Sequence, residues 1–168
     1  MISLIIVVIS ILLDGILSNF LPYLYTNLSI FTPLLTLISI FMIYPFFKKK
    51  ERNYFVIIFI IGIIYDLLYT NLLFFNGVIF VILGLLIKYI YKTYEITPLR
   101  LILYLIILIT SYETLTSIIL LIYNVVPVTF YKVFYKIINS LLLNIIYGEL
   151  IYLIIKIIPN KYKKISIN

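Results

Sequence analysis

The stretch Ile61-Gly62-Ile63-Ile64-Tyr65-Asp66-Leu67-Leu68-Tyr69-Thr70-Asn71 places one carboxylate inside an apolar run. The residues on either side are hydrocarbon and aromatic, with glycine and threonine one helical turn from the acid. A charged side chain at the centre of a bilayer costs several kcal/mol, on the order of 3 by insertion scales. A run of this kind therefore reads as a membrane-spanning helix whose acid has a structural or functional reason to be there.

The rest of the chain fits that reading. It has 65% hydrophobic and 11% charged residues, with a mean hydropathy of +1.24. Soluble domains carry about 25% charged residues. Isoleucine and leucine dominate and alanine is absent, a bias we ascribe to an AT-rich genome. There is no cysteine and no histidine, which excludes disulfides, thiolate nucleophiles, Cys/His zinc sites and a Ser-His-Asp triad. Neither GxxxxGK nor GxGxxG occurs, so no phosphate cradle is expected. The first apolar run lacks a basic leader and a small-residue cleavage site, and is expected to be a retained helix.

Hydrophobic runs of about 17–25 residues mark spanning helices. They fall at about 2–21, 28–47, 54–72, 76–91, 100–123 and 134–158. The expected fold is an all-α bundle of six transmembrane helices forming one integral membrane domain over residues 1–168. Pro22, Pro45, Pro98, Pro127 and Pro159 fall at ends of spans or in loops, where a missing N–H does least harm.

Charge orients the bundle. Lys48, Lys49, Lys50 and Arg52 lie after the second span, Lys88, Lys92 and Arg100 after the fourth, and Lys156, Lys161, Lys163 and Lys164 at the C-terminus. Six crossings put these eleven on one side and leave only Lys132 and Lys136 opposite. The positive-inside rule then places both termini in the cytoplasm. The net charge of +7 is accounted for by topology and lipid headgroups, without nucleic acid. Tyrosines near the span ends, among them Tyr44, Tyr54, Tyr89, Tyr94 and Tyr131, read as headgroup anchors.

With that topology, Asp14, Asp66, Asn76, Glu113 and Asn144 from five helices share a layer between the midplane and the outer surface. Helical spacing aligns them with small or hydroxylated residues: Ser10, Asp14 and Ser18; Gly62, Asp66 and Thr70; Thr110, Glu113, Thr114 and Ser117; Ser140, Asn144, Tyr147 and Gly148. Three roles stay open for the cluster: packing, contact with a partner, or a ligand or ion site. No basic residue shares its depth in this reading, so the acids are expected to be neutral. For Asp66 the expected hydrogen-bond donors lie on the fifth and sixth spans. Glu149, near the cytoplasmic side, is expected to snorkel.

Residues Gly62 to Leu73, followed by Asn76-Gly77, resemble the central signature of the bacterial rod shape-determining MreD family: a glycine, apolar residues, an aspartate, and a glycine-containing turn about ten residues on. Glu113 falls where members of one branch carry a glutamate, and Leu141-Leu142-Leu143-Asn144 is similar to the motif opening the family's last span. The turn Phe74-Phe75-Asn76-Gly77 departs from the many members with an earlier glycine. The resemblance covers the chain in length, span number and orientation. It implies a non-enzymatic component of the cell-elongation machinery in the bacterial cytoplasmic membrane. It would work there with the bitopic protein MreC, the filament MreB, the glycosyltransferase RodA and a class B penicillin-binding protein, without a cofactor. The family is also similar in fold to the S-components of energy-coupling factor vitamin transporters, which supply the alternative function. Against that alternative, the first span has Ser10, Gly15 and Ser18 but none of the alanines with which S-components dock. A small intramembrane enzyme would need a nucleophile–base pair that is missing here.

Overall fold

The computed structural model describes residues 2–24, 32–70, 72–123 and 129–157. Lys161, Lys163, Lys164, Pro127 and Pro159 lie outside them. Among the described residues the chain is helical and contains no strand. The helices are α1 (Ile2–Leu24), α2 (Leu35–Ile43, continued as a 3-10 turn Tyr44–Phe47), α3 (Glu51–Tyr69), α4 (Phe75–Thr93), α5 (Pro98–Ile122) and α6 (Phe130–Ile157). Five are long and apolar enough to cross a membrane, and Leu35–Phe47 is a shorter apolar helix.

Local chemistry sets most of the boundaries. Pro98 opens α5 at a position that needs no N–H, and the Thr97 hydroxyl accepts from the Arg100 amide at 3.4 Å. Glu51 sits in the first turn of α3, where a negative charge complements the helix dipole. It also pairs with Lys88 of α4 at 2.6 Å, tying together two basic loops. Phe74 takes a left-handed conformation, φ 66°, to turn the chain into α4. Its ring stacks on Phe59, with centroids 6.4 Å apart.

The second span differs most from its sequence reading. Thr32, Pro33 and Leu34 are not helical, and α2 starts only at Leu35. Pro33 supplies no N–H and restricts the residue before it, so the helix begins beyond it. From Leu35 to Phe47 the rise is about 20 Å at 1.5 Å per residue, short of the ~30 Å of a hydrocarbon core. Every residue from Leu35 to Ile43 is buried. Such a helix, apolar all round, belongs at the centre of a bundle, and α1, α4 and α6 pack on it. Pro22 does not close α1, which continues to Leu24.

The surrounding helices each bury a stripe. On α1, Val7, Ser10, Ile11 and Asp14 are buried while Leu4, Ile5, Val8, Ile9, Leu12 and Ile16 are exposed. An outer surface this apolar would aggregate in water and suits lipid. Ser18 is exposed and leaves its expected stripe. Near the basic loops, Tyr44 and Tyr54 are buried, in contrast to the headgroup role expected of them. Their rings meet edge to face at 4.9 Å, and the Tyr54 hydroxyl donates to the Ile40 carbonyl at 3.2 Å. Tyr89, Tyr94 and Tyr131 are exposed.

Candidate functional site

A helix beginning inside a membrane protein has up to four N–H groups without intrahelical partners, and hydrocarbon offers no water to satisfy them. The polar layer supplies those partners. Asp14 on α1 accepts from the amides of Leu35 (2.8 Å, Oδ1) and Thr36 (2.9 Å, Oδ2) and from the Thr36 hydroxyl (2.6 Å, Oδ2). Asn144 on α6 accepts the Leu34 amide through Oδ1 at 2.8 Å, and its Nδ2 donates to the carbonyls of Thr32 and Ser140. Beside them, the Ser10 and Tyr147 hydroxyls lie 2.7 Å apart. Two neighbours thus cap the buried start of α2, which has no side-chain cap of its own.

The same device recurs at α4. Asp66 on α3 accepts from the Asn76 amide (2.9 Å, Oδ2), Asn76 Nδ2 (2.7 Å, Oδ1) and the Thr70 hydroxyl (2.9 Å, Oδ1). Asn76 Oδ1 in turn accepts from the Tyr112 hydroxyl of α5 at 2.8 Å. Asp66, Asn76 and Tyr112 therefore form a relay across three helices. One turn back along α3, Gly62 allows the close approach. A Cβ built there would lie 2.4 Å from Gly77 Cα and 2.5 Å from Gly77 N.

One expectation about Asp66 needs correcting. The donors to Asp66 come from α4 and its own helix, because the start of α4 lies directly against it. Helix α5 is reached only through Asn76, and none of the hydrogen bonds to Asp66 comes from α6. Every donor that the described residues bring to Asp14 and Asp66 is a backbone amide, a hydroxyl or a side-chain amide. Two helix N-termini, each equivalent to about half a positive charge, stand where a basic residue was missing.

The third acid is held differently. Glu113 is fully buried, and its Oε2 lies 2.8 Å from Nζ of Lys136, a half-exposed lysine on α6. A basic residue therefore does reach this layer. Lys136 lies four residues before Ser140 and eight before Asn144, on their stripe, and that spacing was the sequence signal for it. Among the described residues Glu113 Oε1 has no hydrogen-bond donor. Glu149 is half-buried, and its Oε1 likewise has none. Sequence reasoning also missed Thr36 and Tyr112. Thr36 follows a proline at an apolar helix start, which is a legible signal; Tyr112 carried none.

All six residues singled out from the sequence are buried: Asp14, Gly62, Asp66, Asn76, Glu113 and Asn144. They divide into one network on α1, α2 and α6, another on α3, α4 and α5, and a charge pair joining α5 to α6. Among the described residues no group of three or more His, Cys, Asp or Glu side chains could hold a metal ion. The arrangement pins buried helix starts in place and leaves one acceptor unsaturated. Compared with protein-family models, with curated proteins and with solved structures, the chain matches none.

Proposed function

We propose that this chain is a non-catalytic component of a bacterial cell-elongation complex, of the MreD type, that scaffolds peptidoglycan synthesis. One observation carries the reading. The residues that give the resemblance depend on one another in space: Gly62 admits Gly77, and Asp66 accepts from Asn76 at the start of the same helix. A signature spread over sixteen positions of sequence is thus a single helix-to-helix joint. Such a joint suits a protein that must present a fixed surface to partners. The partners proposed are an MreC-type bitopic protein, MreB, RodA and a class B penicillin-binding protein. Depleting the protein in a rod-shaped host should round the cells, and gentle solubilisation should recover the MreC-type partner. Cells that keep their shape, with purified protein that binds a vitamin tightly, would replace this reading with that of an S-component.

The proposed topology has six crossings in the cytoplasmic membrane, both termini inside, in an arrangement like that of an S-component. Helix α2 lies in the second crossing. Support comes from the basic residues of the described part: all but Lys132 and Lys136 sit in loops or helix ends at one end of the bundle. Reporter fusions at the C-terminus and at Asn124 should report opposite sides, and a periplasmic C-terminus would overturn the scheme.

A further inference from the structure

The first ten residues of α6, Phe130 to Asn139, include no buried residue, and the buried positions of the helix begin at Ser140. No residue of that segment packs on the apolar core, whereas Leu141, Tyr147, Tyr152 and Ile155 do. Its one aromatic pairing, Tyr131 on Tyr135 at 5.9 Å, is internal to the helix. Among the described residues its only side-chain hydrogen bond or ion pair to the rest of the bundle is Lys136 on Glu113, while Val133, Ile137 and Asn139 are partly buried. The helix beyond is anchored firmly. Asn144 binds Thr32 and Leu34, and Gly148 lets Leu105 approach so closely that a Cβ would clash with it. Between the two regimes, Asn144 Nδ2 donates to the Ser140 carbonyl at 2.7 Å. That carbonyl also belongs to the helix's own ladder, so a side-chain donor competes there with the backbone.

From these contacts we propose that Phe130–Asn139 is a gate, hinged at Ser140–Asn144 and latched by Lys136 on Glu113. Unlatching swings this end of α6 away from α5 and opens the polar layer from the side remote from the basic loops. The contrast among the three acids marks the latch. Asp14 and Asp66 are saturated by backbone amides that cannot leave without unwinding a helix, while Glu113 is held by the end of one flexible lysine. A lysine half exposed to the surroundings can let go at little steric cost. The proposal stands on the packing alone, whichever function the chain serves.

The chain has no native cysteine, so reporter positions are clean. Spin labels at Leu121→Cys and Lys132→Cys, both on exposed positions near the ends of α5 and α6, would report the distance between the two helices in nanodiscs. A third reporter, Thr116→Cys, lies under the gate: Thr116 is 6% exposed and one turn beyond Glu113 on the same face of α5. Lys136→Gln should add a longer-distance population and speed maleimide labelling at position 116 by at least about tenfold, since nothing else polar then ties this end of α6 to Glu113. Lys136→Arg should leave both readouts as they are. The exchanged pair, Glu113→Lys with Lys136→Glu, should restore slow labelling if the single variants fold poorly. Unchanged distance and unchanged labelling in Lys136→Gln would overturn the gate, as would a rise in labelling equal at Ser39→Cys inside α2, which would indicate general loosening.

Discussion

Asp14→Asn is expected to reduce stability more than any other isosteric change in the polar layer. Each carboxylate oxygen of Asp14 accepts a backbone N–H, Oδ1 from Leu35 and Oδ2 from Thr36. An asparagine must turn its NH2 toward one of those amides, so a donor faces a donor, and a backbone N–H cannot turn away. One buried N–H is left unsatisfied at about 1–3 kcal/mol. Asp66→Asn has a way out that Asp14→Asn lacks. Asn76 can flip its amide so that its oxygen meets the new NH2, and the cost moves to the Tyr112 hydroxyl, which loses its acceptor. The geometry makes Asp66→Asn intermediate, with Asp14→Asn worse. Thermal unfolding of the purified variants in detergent, together with their abundance in membranes, checks the order. Equal stability of Asp14→Asn and the parent protein would sink the capping account of this layer.

The comparison also shows what a sequence carries and what it hides. The apolar runs and the acids within them were legible because hydrocarbon makes a charge conspicuous, and the depth of each acid followed from helical rise. The half-length of α2 was hidden. Residues 28–47 read as one continuous apolar run, and only Pro33 marks the break. Pairing was hidden more deeply. A carboxylate can be satisfied by a lysine or by backbone amides, and amides leave no trace in residue type. The same blindness made Tyr44 and Tyr54 look like headgroup anchors, since a tyrosine at a span end can face lipid or core with equal ease. Lys136 was misjudged for another reason: its Cα sits nearer the helix end than Glu113, and the length of its side chain closes the difference.

Gly62→Ala should separate α3 from α4, and its reciprocal should not. The added Cβ at position 62 would meet Gly77 Cα at 2.4 Å, Gly77 N at 2.5 Å and the Asn76 carbonyl carbon at 2.8 Å, all backbone atoms. No rotamer relieves such a contact, so the start of α4 has to retreat by about 1 Å or more to reach ordinary carbon–carbon separations. The atoms that must retreat belong to Asn76 and Gly77, and Asn76 supplies Asp66 with two of its donors. Overpacking alone costs about 1–3 kcal/mol, and lengthening those bonds adds to it. At Gly77 the added Cβ would instead meet the Phe59 ring at 3.3 Å and Ile63 Cγ1 at 3.5 Å. Those are side-chain atoms that can yield by a few tenths of an ångström, so Gly77→Ala should unfold close to the parent temperature. Measured side by side in detergent, the two alanines should therefore differ although they face each other across one contact. Equal loss in both would mean that a methyl group is resisted on either side of the contact alike, and that Gly62 has no special part in seating Asp66 on α4.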